Sequence, residues 1–483
     1  MRRIVYAAVV TVAAVLTTAP VGAQNTEGRC IFEFRRSVNA DTRLQVIKLP
    51  SGQSNIFLGA GVDAFCKAQN ITLIADSAEY YGDQRVWYLI GNVRYSEPRA
   101  KVNSRRATYW TVEDRLLAEG DVVASMPNGS TMRGPTLEYF RVIPNLRPRT
   151  RVVAPGRPRI KLIQKDTTPG RTVAKSDTVD LIANTVIMDG DSLVFASGKV
   201  EITRPDMLAT GDSALLDSGR EVARLMRSPA IESRGEKPFT LTGRVIDVQS
   251  RLRKLERVLS SGEAHAVSED LDLKADTIDM RVVGNALQRA FAWGKSRARA
   301  VSPAQDMIAD SIDVRMPGQR VSEVHAIRRA VAQSAPDSTK ISRSTEKDWI
   351  RGDTIIALFD SAAVGDTTRR PKLRSLKAIG EASSFYQIPS SEGPAAVPGV
   401  NYVRGDTITV RFDQQQVSTV SVDGKATGLF LESTVRGADN VTEEQGTIVP
   451  ATERDRPAVP LPTRTPPTRP VPSGRKPGAE RPR

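Results

Sequence analysis

Histidine and cysteine are nearly absent from this 483-residue chain, which holds two of each. Two histidines and two cysteines cannot assemble a multi-ligand His/Cys metal site, so no metal is expected. His265 and His325 stand far apart without matching partners, which argues against histidine catalysis. Aromatic residues make up only 5%, too few for the stacking platforms of a single-strand nucleic-acid binder. Also missing is any long helical period beyond the first residues. Arg244 to Leu259 comes nearest, but there Ile246 and Val248 alternate with Asp247 and Gln249 as in a strand. What is present is a 40% hydrophobic content, enough for a packed core, and an excess of Lys and Arg over Asp and Glu, 69 against 55. The resulting formal charge of +14 points toward a polyanionic partner.

Residues 1–23 read as a secretory signal. Arg2 and Arg3 are followed by an uncharged apolar run from Ile4 to Thr18, then Pro20 and the small residues Val21-Gly22-Ala23. The rival reading is a retained anchor, although a run of about 15 residues is shorter than the roughly 20 needed to span a bilayer. Export places Cys30 and Cys66 in an oxidising compartment. A disulfide between them would close a loop of about 35 residues and stabilise by about 3–4 kcal/mol; the alternative is two separate buried thiols.

The middle of the chain repeats. One phrase is a small residue, Asp, Ser or Thr, then an apolar residue. It occurs as Ala75-Asp76-Ser77-Ala78, Ser176-Asp177-Thr178-Val179, Gly211-Asp212-Ser213-Ala214, Ala275-Asp276-Thr277-Ile278, Ala309-Asp310-Ser311-Ile312, Gly352-Asp353-Thr354-Ile355 and Gly405-Asp406-Thr407-Ile408. A second phrase, glycine, any residue, then a small or apolar one, falls between the copies at Gly91, Gly120, Gly198, Gly262, Gly380 and Gly424. With weaker copies there are about ten units. The segments alternate with period 2, as in Ile278, Met280 and Val282 against Thr277, Asp279 and Arg281, which predicts strands with one apolar face. Asp and Gly at the segment starts suit turns and strand entries. About twenty strands are expected, sharing one interior as neighbour contacts neighbour. Small inward residues such as Ala264, Ala266, Ala298 and Ala382 would leave room between sheets.

This pattern divides the chain into a signal (1–23), an N-terminal segment (24–55), a first set of repeats (56–140), a Pro- and Arg-rich loop or boundary (141–175), further repeats (176–432) and a Pro- and Arg-rich tail (433–483) expected to be disordered.

The phrase Ala-Asp-Ser-Ala-Glu-Tyr-Tyr at 75–81, followed by Leu89-Ile90-Gly91-Asn92-Val93, resembles the OstA-like family. Its members include the periplasmic lipopolysaccharide transport proteins LptA and LptC and the N-terminal domain of LptD. The signal returns at 107–122 and across most of residues 56–430. The resemblance implies an all-β fold, an elongated incomplete β-jellyroll or β-taco of two facing antiparallel sheets. It implies a non-enzymatic conduit in outer-membrane biogenesis, located in the periplasm or against the inner or outer membrane. Lipopolysaccharide or a similar glycolipid would be held by its acyl chains. The inward set that would line such a groove is Val93, Tyr95, Val122, Val179, Leu181, Val200, Ile202, Ile278, Met280, Ile312, Val314, Ile408 and Val410. Arg147, Arg149 and Arg151 are candidates for phosphate contacts. Partners would be other OstA-like proteins joined end to end by strand pairing near 56–75 and 405–432. The chain departs from the family in being longer than a single LptA-like module, and in having a proline tail where LptD carries its barrel.

Two other classes compete. One is a structural or adhesive envelope β-solenoid with a filled core and no lipid. The other is a glycan-cleaving enzyme on a β-solenoid, which needs clustered carboxylates; here the Asp residues recur singly, one per unit, so no catalytic residue and no cofactor is expected. Nucleic acid is not an expected partner.

Overall fold

A computed structural model describes residues 32–35, 43–163 and 178–432, except for 235–237, 252–253, 270, 285, 303–304, 337, 343, 361–370 and 414–415. The chain divides into two units, Met1–Ser433 and Thr434–Arg483. The second unit, the expected signal at 1–23, Cys30 and Asp177 lie outside the described residues. Among those described the fold is all-β, with antiparallel strands throughout and a single 3-10 turn at Pro317–Gln319.

The strands form where apolar and polar residues alternate, and a bend interrupts the alternation midway along each long strand. In the strand Asp272–Val283, Leu273 and Ala275 are buried, then Ile278, Met280 and Val282. The change of parity falls at Asp276 and Thr277. On the neighbouring strand Lys254–Ser268 the pairing jumps from Ser261 to Ala264, so Gly262 and Glu263 oppose Asp276 alone. This is a β-bulge, which bends the strand and increases its local twist. The same jump recurs from Ile90 to Val93, Ser197 to Val200 and Ile379 to Ala382.

At some bends the two halves of a strand have different partners. Thr131–Phe140 pairs through its first residues with Arg159–Ile163 and through its last with Arg151–Pro155. Leu193–Thr203 likewise pairs with both Thr185–Asp189 and Thr178–Ile182. Two ladders therefore run side by side, joined at the bends. Their buried side chains belong to one apolar core reaching from Leu58 to Val410.

Three features differ from the sequence reading. The Asp and Gly phrases sit mostly at mid-strand bends, not at strand starts, because a left-handed residue lets the backbone turn while the ladder continues on both sides. Many of the expected short strand pairs are thus single long strands. The segment 141–175 is more than a loop: it carries the strands Arg151–Pro155 and Arg159–Ile163, with Pro155 and Pro158 flanking the bend between them. There a missing N–H interrupts little of the ladder. Cys66 is buried on the strand Val62–Cys66 and is disulfide-bonded.

Candidate functional site

Each bend is built by two residues from successive strands. Gly91 and Asn92 have φ of 76° and 46°, and the corresponding pairs Gly120-Asp121, Gly198-Lys199, Gly262-Glu263, Gly380-Glu381 and Gly424-Lys425 are also left-handed. Left-handed backbone costs an L-residue about 1–2 kcal/mol and glycine little. At Gly91, Gly380 and Gly424 the Asp of the preceding strand packs on that glycine, and Arg105, Asn184 and Arg244 take its place at Gly120, Gly198 and Gly262. A Cβ on Gly91 would lie 2.2 Å from Asp76 Oδ2, and one on Gly424 2.3 Å from Asp406 Oδ2. The Asp76 N–H donates to the Gly91 carbonyl at 2.9 Å, and Asn92 Nδ2 donates to Asp76 Oδ2 at 2.8 Å. Asp276 accepts from the Lys295 and Ser296 amides at 2.5 and 2.8 Å. Those backbone hydrogen bonds, the Ser296 amide first, hold its carboxyl below the usual range. The repeated Asp residues are thus occupied in holding bends.

The inward residues form the second part of the site. Val93, Tyr95, Val122, Val179, Leu181, Val200 and Ile202 face the core from one ladder, and Ile278, Met280, Ile312, Val314, Ile408 and Val410 from the other. All are buried, Leu181, Ile278, Ile312, Val314 and Ile408 completely. Alanines fill much of the remaining interior, including Ala264, Ala266, Ala298 and Ala382.

Away from the bends, the tips of the two ladders close the interior in two different ways. In the N-terminal part they are tied by a polar latch. Arg141 Nε donates to Glu97 Oε2 at 2.5 Å and Arg141 Nη1 to Asp114 Oδ1 at 3.0 Å, while Arg141 also reaches Gln69. Tyr139 donates to Glu97, and Tyr109 to Asp114 at 2.8 Å. Burial is the main cause that pushes the hydroxyls of Tyr95, Tyr109 and Tyr139 well above the ordinary phenol range, so all three stay protonated. Further along, the tips meet at an apolar cavity of about 70 Å³ lined by Phe239, Ala266, Val267, Leu271, Leu273, Met280, Leu287, Met316, Val321 and Pro371, with a few polar neighbours. A second cavity, of about 40 Å³, lies beside Val102, Met126, Met132 and Tyr139.

Of the candidate phosphate ligands, Arg147 donates to the backbone carbonyls of Glu113 and Asp114 at 2.7 and 3.2 Å and lies over the Phe140 ring, which fixes the turn beside the latch. Arg149 and Arg151 face solvent, with Asp189 4.0 Å from Arg149. His265 pairs with Asp272 at 2.9 Å and His325 with Glu323 at 2.5 Å, in separate ladders. Sequence reasoning missed the latch, whose members are as many as 72 residues apart. It also missed the cavity rim, although apolar Leu271, Met316 and Val321 in turn positions, where polar residues are usual, were a signal that could have found it. Among the described residues no helix is long and apolar enough to cross a membrane. No protein-family model matches the chain, and a search of curated proteins finds none similar to it.

Proposed function

We propose that this chain binds lipopolysaccharide or a related glycolipid in the periplasm and passes it toward the outer membrane, holding the acyl chains between two facing sheets of an elongated, incomplete β-jellyroll. The observation that carries this reading is the apolar cavity where the ladder tips meet, because it opens on an uninterrupted apolar core. Each methylene moved from water into such an interior contributes about 0.8 kcal/mol. The cavity itself holds only a few water molecules' volume, so a chain enters when the tips part, and the alanine-rich contacts behind it give way more easily than large interlocked side chains. The terminal strands support end-to-end pairing with other OstA-like proteins. Leu44, Val46 and Ile47 are exposed on Arg43–Lys48, and Leu429, Phe430 and Leu431 on Thr427–Leu431.

The test is a photo-crosslinking amino acid placed at Leu271, Val200, Ile278 or Val314 in cells of the host. Glycolipid adducts at Leu271 and at the inward positions, absent at exposed Val112, are the expected result. A second reading, a filled envelope β-solenoid without lipid, is favoured by the complete burial of Ile278 and Val314. Normal expression with no adduct at any inward position would establish that reading instead.

A further inference from the structure

Several arginines further along the chain are clamped. Arg224 and Asp247 are 2.6 Å apart, Arg257 and Asp279 2.8 Å, Arg289 and Asp313 2.6 Å, and Arg299 and Asp306 2.7 Å. One outward sheet face in the N-terminal half is built otherwise. Arg94, Lys101, Arg133, Arg159 and Lys161 are all exposed there, and none has a carboxylate within ion-pairing distance among the described residues. Register puts them on one surface. Arg94 is opposite Asn103, Arg133 opposite Val123, and Lys101 and Thr131 share Ser125 as their cross-strand partner, while Thr131 is itself opposite Lys161. The face is five strands wide, about 19 Å at the usual strand spacing, and carboxylates come at its borders, Asp180 opposite Lys161 on one side and Asp63 opposite Ile74 on the other. Arg133 and Arg159 are directly cross-strand partners. Like charges in that position destabilise a sheet, so folding alone does not account for them.

We propose that this face docks the protein on an anionic bilayer surface. The cations are spread over five strands of one sheet face, so they do not build a pocket for one phosphate, which needs donors aimed at a single point. An extended array of negative headgroups matches this spread of positive charge, and each Lys or Arg held near such a surface strengthens adsorption about fivefold. Ile74, partly exposed and opposite Arg94, adds an apolar contact at the edge. The inference is independent of what the interior carries.

The experiment is co-sedimentation of the full chain with vesicles of phosphatidylcholine alone or with phosphatidylglycerol. Wild type should bind the mixed vesicles, weaken with salt, and leave pure phosphatidylcholine unbound. The double variant Arg133→Gln/Arg159→Gln should bind about 25-fold more weakly. It should melt no lower than wild type, because a like-charge contact is removed. Arg374→Gln/Lys377→Gln, which removes two exposed cations from the other ladder, should bind as wild type does. Unchanged binding by the first double variant, an equal loss in the second, or equal binding to both vesicles would overturn the proposal.

Discussion

Gly380 has a φ of 79°, and a Cβ there would come within 2.9 Å of Asp353 Cβ, whereas Gly284 has a φ of 60° with nothing within 4 Å. Gly380→Ala should therefore cost more than Gly284→Ala in urea unfolding. Both carry the left-handed term of about 1–2 kcal/mol, and only the first adds a clash, so equal losses would show that the packed Asp contributes nothing. Asp348 offers a test by pH. Burial raises its carboxyl above the usual value, despite the bonds it accepts from Gln387. The folded state thus holds this proton to higher pH than the unfolded chain does. Stability from this group is greatest below the unfolded value and is lost as pH rises through the raised folded value. Asp348→Asn keeps an acceptor and removes the buried charge, so it should stabilise at neutral pH and flatten the profile just above the ordinary carboxylate range. Val314→Asp places a carboxylate at a fully buried position and should cost more than about 4 kcal/mol. A near-normal melting temperature in that variant would argue against a dry interior at this site.

At the scale of elements the latch makes the sharpest claim. The Glu97 side chain is 4% exposed, and Arg141 is its ionic partner. Arg141→Ala should lower unfolding free energy by about 3–5 kcal/mol, because it strands a buried charge. Arg141→Lys should recover part of that, since an ammonium restores charge without the fork that spans Glu97 and Asp114. The strands themselves were legible in the sequence because a period of 2 needs only a few consecutive residues to show. The bends were half legible. The Asp and Gly phrases stood out, but their partnership did not, since Asp76 meets Gly91 only once two strands are side by side. Two bends among the described residues have no glycine: Arg227 and Ser228 take φ of 61° and 56°, with Arg227 3.5 Å from Asp212, and Arg328 and Arg329 take φ of 62° and 49°, with Arg329 Nη2 binding Asp310 at 2.6 Å. The latch was illegible for a stronger reason. Glu97 and Arg141 carry no local pattern, and their meeting depends on the tips of two ladders coming together.

Across the described molecule the heaviest contacts join strands that follow one another in the chain, as with Leu373–Ile388 and Gly399–Asp413. Stability is then close to a sum over neighbours, and the ends are the first to open. Hydrogen exchange should find the amides of Arg43–Lys48 and Thr427–Leu431 least protected and those of Lys254–Ser268 most. Uniform protection along the chain would contradict nearest-neighbour assembly. The mated bends also bear on how such a protein changes length over evolutionary time. The Asp on one strand and the Gly on the next are donor and recipient of a single join. Gain or loss of one strand would leave an unmated bend and reverse the direction of everything beyond it, putting each half-strand in the other ladder. Duplication of a whole hairpin preserves both, so the inheritable increment is a pair of strands, and natural variants of different length should differ by complete Asp-to-Gly periods.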